Sequence, residues 1–259
     1  MIHPLSVVHE GSTVGASTVI EPFAHVHDDV IIGEGCWIAS NSVLMPGTRL
    51  GDHCKIFPGA VLGAEPQDLK FGGEKTYLTI GDHTTIREFC TLNRATSHST
   101  YTKIGSHCLL MAYVHVAHDC SIGDHCVLAN SVNMAGHVLI DDYVIIGGMV
   151  PIHQFVNIGK HSMVGGGSLV RKDVPPFIKA AREPLSYVGI NSIGLNRRGF
   201  TKGQVNCIND IYRLIYVSGY NMSQAIEEIN VQIEDCDEKT EILKFITNSE
   251  RGLIRGYNG

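Results

Sequence analysis

Every sixth residue from Ile2 is aliphatic: Ile2, Val8, Val14, Ile20, Val26, Ile32, Ile38, Leu44, Leu50, Ile56 and Leu62. The register lapses, resumes at Ile80, Ile86 and Leu92, and lapses again. It then runs unbroken through Ile104, Leu110, Val116, Ile122, Leu128, Met134, Ile140, Ile146, Ile152, Ile158, Val164 and Val170. Only 44% of the chain is hydrophobic, so chance does not produce this. A fixed period marks a repeat architecture. Six residues are too few for a helical hairpin and enough for one short strand and one turn. The next residue is often glycine, as at Gly15, Gly33, Gly51, Gly105 and Gly123. The fifth position is small, as at Cys36, Ser42, Cys54, Ala60 and Val132.

This is the pattern of the hexapeptide-repeat proteins, and the resemblance implies a left-handed parallel β-helix. In that fold three hexads close one triangular coil of 18 residues, and coils stack at the strand spacing of about 4.8 Å. The β-helix is expected over 1–176, with a linker over 177–189 and a C-terminal helical domain over 190–259. In the tail, Thr201 with Gln204 three residues on reads as a capping box. Apolar residues follow at helical spacing (Ile208, Ile211, Tyr212, Ile215), and further helices are expected after Ser223 and after Asp237.

The repeat removes several candidate sites. Cys36, Cys54, Cys90, Cys108 and Cys126 share the fifth position and form one inward column, with Cys120 on another edge. They read as buried small thiols; none belongs to a C-x-x-C pair. His53, His83, His107, His125 and His161 share the fourth position and read as turn residues. The two interruptions, near 64–79 and 93–103, are loops ejected from a rigid scaffold, where function commonly sits.

The 18-residue coil also decides what stacks on what. His118, Gly136 and Gln154 fall in one column, Asp119 and His137 in the next, with His153 beside Gln154 and His115 three residues before His118. Four histidines, an Asp, a Gln and a Gly thus converge on a patch about 10 Å tall. A histidine with an adjacent carboxylate is a natural general base. A glycine beside it leaves a backbone N–H open as an oxyanion donor. Together these meet the two charge problems of acyl transfer from a thioester to a hydroxyl.

The motifs "PQDLKFGGE", "IREFCTLNR", "VHVAHDC", "MAGHV", "HQF", "DVPPF", "GLNRRGF" and "SERGLIR", in this order, resemble the UDP-N-acetylglucosamine O-acyltransferase family that opens lipid A synthesis. The resemblance spans almost the whole chain. It implies a homotrimer with active sites between subunits. It also implies transfer of an (R)-3-hydroxyacyl group from acyl carrier protein to the 3-hydroxyl of UDP-N-acetylglucosamine. No metal or cofactor is implied beyond the phosphopantetheine of the carrier protein. On matching residues, it makes His118 the base, Asp119 its orienting acid and the Gly136 N–H the oxyanion donor. His115, His137, His153 and Gln154 would line the cleft, and Gln67, Asp68 and Lys70 would contact the sugar nucleotide. Asn191, Arg197 and Arg198 would serve the UDP phosphates and the carrier protein, and Gly166 the acyl-chain length. One departure is Ile193, where relatives often carry Glu.

Charge fits this reading. The chain carries a net −6, which argues against general nucleic-acid binding. Yet residues 171–220 hold eight basic side chains against three acidic ones, a basic segment suited to an acidic carrier protein. No leader and no long apolar run is present, so a cytoplasmic chain without a transmembrane segment is expected. Hexads that begin at Ile2 argue against the related N-acyltransferase, which would carry an additional N-terminal domain. Two other classes stand beside acyl transfer. One is a zinc enzyme of the γ-carbonic-anhydrase type, with His115, His118 and His137 as ligands; it gives Gly136, Gln154 and the QDLK loop no role. The other is a purely structural trimer, which leaves the histidine patch unexplained.

Overall fold

Strands of two to four residues alternate with turns from Val7–Val8 to Met163–Val164, one strand per hexad. The computed structural model describes residues 1–256 of the 259. The strands stack into three parallel sheets, one on each side of a triangular prism. One eight-stranded sheet runs from Val7–Val8 to Pro151–Ile152, and a second from Thr13–Val14 to Asn157–Ile158. The third, of eleven strands, starts at Val19–Ile20 and continues into the C-terminal region. Partners lie 18 residues apart, as in Val8↔Val26 and Val116↔Met134. This is the left-handed parallel β-helix expected from the repeat. The periodic aliphatics fill its interior: Val26, Ile38, Leu44, Ile56, Leu62, Leu92 and Leu110 are all 0% exposed.

The corners explain the fourth-position residues. His53, His83, His107, His125, Tyr143, His161 and Phe177 all have positive φ, between 56° and 67°. That conformation costs an ordinary residue roughly 1 kcal/mol or more. Here the rings stack into a continuous ladder, with centroids 4.6–5.7 Å apart. Below it the cysteines of the fifth position are buried free thiols, as expected.

The two interruptions leave the coil register intact. Leu50 pairs with Ile80, and Ile80 with Ile104. The strands Val61–Ala64, Tyr77–Ile80, Thr91–Asn93 and Tyr101–Ile104 extend into the interruptions, so the segments actually ejected are 65–76 and 94–100.

The segment expected as a linker is instead an antiparallel hairpin, Ile178–Ala181 with Ser186–Ile190. It adds to the third sheet beside Met163–Val164, with Arg255–Gly256 on its far side. Burial of Ile178 and Ala180 at its base accounts for this. Four helices follow: α1 (Ser192–Arg197), α2 (Lys202–Tyr216), α3 (Met222–Gln232) and α4 (Asp237–Asn248). The short α1 is not legible in the periodicity. Helix α2 opens with the expected capping box of Thr201 and Gln204. Helix α3 starts before Ser223, because Asn221 and Gln224 form a second capping box there. Helix α2 buries Ile208, Ile211, Tyr212, Leu214 and Ile215. The fully buried Tyr212 hydroxyl donates to the Pro176 carbonyl at 2.6 Å, which docks α2 onto the end of the β-helix.

Candidate active site

Asp119, His137 and Phe155 occupy one corner of three successive coils, each with φ near 60°. His118 precedes the first of them, and its Nδ1 lies 2.7 Å from Asp119 Oδ2. The His118 side chain is 13% exposed and that of Asp119 0%. A carboxylate so buried needs compensation, and the second ejected loop supplies it. The Thr96 hydroxyl donates to Oδ2 at 2.8 Å, and the Ser99 hydroxyl to Oδ1 at 2.5 Å. The Thr96 and Ser99 N–H groups donate to Oδ1 at 3.1 and 3.2 Å. The Asp119 N–H in turn donates to the Thr102 hydroxyl. Burial alone would raise the Asp119 pKa, but the bonds from Ser99, His118 and Thr96 outweigh it and bring the value down to about 2. Asp119 is therefore an anion at any physiological pH. It fixes the proton of His118 on Nδ1 and leaves Nε2 with a free lone pair.

The other face of the His118 ring meets Gly136. A Cβ at that position would sit 2.7 Å from His118 Cε1 and 2.9 Å from Nε2, so no larger residue fits without moving the imidazole. The Gly136 N–H donates to no other described residue. The Gly136 backbone thus packs directly against the His118 imidazole, on the side of its free lone pair.

Around this core, His137 Nε2 lies 3.9 Å from Asp119 Oδ2. Its ring stacks on Phe155 at 4.6 Å and meets His98 edge-on at 4.7 Å. Burial lowers the His137 pKa; Asp119 opposes this, and the Asp68 charge acts in the same upward direction. The first ejected loop packs on the second, where Glu74 accepts from the Ser97 N–H. A cleft of about 590 Å³ opens here, lined by His98, Ser99, Asp119, His137 and Phe155 and by Lys244 and Phe245 of α4. His153 and Gln154 sit exposed on the next coil of the same corner. His115 is on a strand rather than a corner; its Nδ1 pairs with the Thr91 hydroxyl at 2.8 Å, and burial lowers its pKa.

The remaining predicted residues lie elsewhere in the chain. Gln67 and Lys70 are exposed on the first loop. Asn191 is 4% exposed, and its side chain caps α1 and donates to the His161 carbonyl. Its amide is committed to the fold, which the sequence reading did not foresee. Arg197 is exposed, whereas Arg198 lies 5.2 Å over the Tyr143 ring beside His161, on the corner that carries the aromatic ladder. Gly166 is on the third corner, packed against the Gly148 backbone. One chain thus distributes the predicted residues over all three corners.

Three residues of this constellation escaped the sequence reading: Thr96, Ser99 and Thr102. Their signal was the density of Ser and Thr in "NRATSHSTYTK", a set of hydroxyls with no solvent-side reason to cluster. The zinc triad is also corrected. His115 is committed to Thr91, and the group that converges is His118, Asp119 and His137, with Asp119 already saturated by protein donors.

A family model described as Udp N-acetylglucosamine O-acyltransferase, domain 2, matches residues 173–254, and a bacterial transferase hexapeptide model matches 29–64 and 101–136. An acyl-[acyl-carrier-protein]–UDP-N-acetylglucosamine O-acyltransferase of Chlorobaculum parvum is 52% identical over 99% of this chain and 98% of its own length. Among solved structures, the UDP-N-acetylglucosamine O-acyltransferase of Moraxella catarrhalis superposes with a TM-score of 0.94 at 39% identity, covering 98% of this chain and 99% of that one. The Francisella novicida UDP-N-acetylglucosamine acyltransferase superposes at 0.96 and 36% identity, covering 100% and 95%. With family models over repeat and tail and a relative 52% identical along 99% of its length, the chain belongs to the UDP-N-acetylglucosamine O-acyltransferase family.

Proposed function

We propose that this protein transfers an (R)-3-hydroxyacyl group from the phosphopantetheine of acyl carrier protein to the 3-hydroxyl of UDP-N-acetylglucosamine, the first step of lipid A biosynthesis. The observation that carries the reading is the His118–Asp119 pair set against the Gly136 backbone. His118 Nε2 takes the proton of the sugar 3-hydroxyl as that oxygen attacks the thioester carbonyl carbon. The tetrahedral oxyanion accepts from the Gly136 N–H. The carbon–sulfur bond then breaks, and the imidazolium returns its proton to the departing thiolate. Asp119 stabilises the imidazolium in between. His115, His137, His153 and Gln154 line the substrate cleft in this reading. Gln67, Asp68 and Lys70 meet the sugar nucleotide, Arg197 and Arg198 meet phosphates and the carrier protein, and Gly166 bounds the acyl chain. For Asn191 the role is indirect, through the cap that places α1.

A homotrimer is part of this reading, and the distribution of these residues supports it. Groups on three corners of one prism face apart and converge only when neighbouring copies bring different corners together. The corner carrying Phe23, Phe89, Tyr113 and Met149 supports this, because all four are more than half exposed. Apolar side chains stacked along one edge mark an association surface. The basic segment 171–220 suits an acidic carrier protein. We place the reaction in the cytoplasm; no helix of the described residues is long and apolar enough to cross a membrane.

His118→Ala tests the assignment. Its acyl transfer from carrier-bound 3-hydroxyacyl chains to UDP-N-acetylglucosamine is expected to fall by about 10³-fold or more, with the fold and association state unchanged. A variant that keeps most of its activity removes His118 as the base.

A further inference from the structure

Three histidines near the N-terminal end of the prism take no part in this chemistry. His25 and His27 flank the buried Val26, so strand alternation sends both to the outer surface. His9 lies 18 residues before His27, on the preceding coil, where its N–H donates to the Val26 carbonyl. The three imidazoles converge as a near-parallel stack, with centroids 4.0–5.4 Å apart and planes within 20° of one another, so the His27 ring has to turn for all three lone pairs to meet one ion. His9 Nε2 is 3.1 Å from His25 Nε2, and one ring nitrogen of each histidine lies within 4.8 Å of the others. Turn chemistry does not account for them. The histidines of the corner ladder have positive φ, and none of these three does.

Their surroundings resemble those of ligating imidazoles. Asp28 Oδ2 lies 3.2 Å from His9 Nδ1, on the side of the ring away from His25. A carboxylate there keeps the proton on Nδ1 and presents the Nε2 lone pair to the cluster, the usual support of a metal-bound histidine. Asp28 is itself held, since its Oδ1 accepts from the Gly11 N–H at 3.1 Å. Gly11 leaves the room for this, because a Cβ there would sit 2.7 Å from that oxygen. Two nitrogens on one tetrahedral ion with bonds of 2.0–2.1 Å stand about 3.3 Å apart, close to the His9–His25 separation. All three rings are part-exposed, so an ion has access from solvent.

We propose that His9, His25 and His27 form a binding site for one late first-row divalent ion of the zinc class, with Asp28 as positioning residue and solvent completing the coordination. Imidazole donors select zinc, nickel and copper over magnesium or calcium. The ion joins the first coil to the second at an end of the solenoid, where the first coil has a neighbour on one side only. An ion that binds only the folded chain stabilises it by mass action.

The test uses the untagged full-length chain, freed of metal by chelator and titrated with Zn²⁺, with bound metal counted by mass spectrometry. Wild type and His118→Ala are each expected to bind about one Zn²⁺ per chain at this site. His25→Ala is expected to bind at least about 100-fold more weakly, and Asp28→Asn about 10- to 100-fold more weakly. Asp28 is 66% exposed on its side chain, so this second variant does not burden the fold. Co²⁺ gives an independent readout, a visible absorption band in wild type that His25→Ala lacks. The proposal is overturned if wild type binds no more Zn²⁺ than the His25→Ala variant. It is equally overturned if the bound ion is lost in His118→Ala and kept in His25→Ala, which places it at the acyltransfer corner.

Discussion

A β-carbon on Gly136 would stand 2.7 Å from Cε1 of His118, one coil away. The closeness of that backbone to the imidazole gives the first prediction. In Gly136→Ala the ring has to move from the place the proposed reaction requires. The kcat for acyl transfer is expected to fall by about 10²-fold or more, with a smaller loss in the thermal midpoint from displacing the imidazole. Steady-state kinetics and calorimetry on the same sample separate the two effects.

Asp119→Asn keeps the shape of the side chain and removes the charge that holds the His118 tautomer. An expected loss of about 10³-fold in kcat follows. The variant also disrupts the anchoring of the second loop, so amide exchange at 96–99 is expected to rise. The pH dependence has a definite sign. The folded pKa of Asp119 is depressed to about 2, so its contribution is present above the unfolded value near 4 and is lost as pH falls from about 4 to 2. That contribution is on the order of 2 kcal/mol. Denaturant unfolding of wild type against Asp119→Asn across this range checks it; parallel curves contradict it.

Asn191 has its side chain in the α1 cap, and two substitutions distinguish a structural from a nucleotide role. Asn191→Ala is expected to lose about 1 kcal/mol of stability. Asn191→Ser retains a capping oxygen but loses the amide that donates to the His161 carbonyl, so it is expected to recover only part of the stability and to keep the KM for UDP-N-acetylglucosamine. A raised KM in a folded Asn191→Ser protein shows direct contact with the nucleotide instead.

The exposed corner of Phe89, Tyr113 and Met149 is expected to be the association surface. Tyr113→Glu combined with Met149→Glu buries two carboxylates against apolar neighbours. Sedimentation should convert from trimer to monomer, and activity should drop by at least about 100-fold, with the β-sheet circular dichroism retained. An unchanged trimer moves the interface to another corner.

How much of this was legible in the sequence varies with how far each interaction reaches. Ile2 to Val170 at intervals of six fixes strand, turn and inward face, because every hexad repeats the same local steric problem. The same period places Gly136 over His118 and His137 over Asp119, since a rigid coil turns residue number into position. Local capping rules also found the start of α2 at Thr201. They missed α1, which is six residues long and has too little periodicity to register. They also read the 177–189 hairpin as a linker, because its stability comes from pairing with Met163–Val164 and Arg255–Gly256.

The sequence by itself therefore determined the prism, its core and the His118–Gly136 column, all of which follow from a short repeat that resumes after each interruption. Only the tertiary structure decided how Asp119 is kept ionised. Thr96 and Ser99 come from a loop whose path no period describes, and they reach the carboxylate at 2.5–3.2 Å by folding back over the corner. It also decided that Asn191 caps a helix and that His9 meets His25 across two coils. These are contacts between side chains whose orientation depends on packing, and a repeat in the sequence specifies backbone position far more tightly than it specifies where an irregular loop or a surface ring comes to rest.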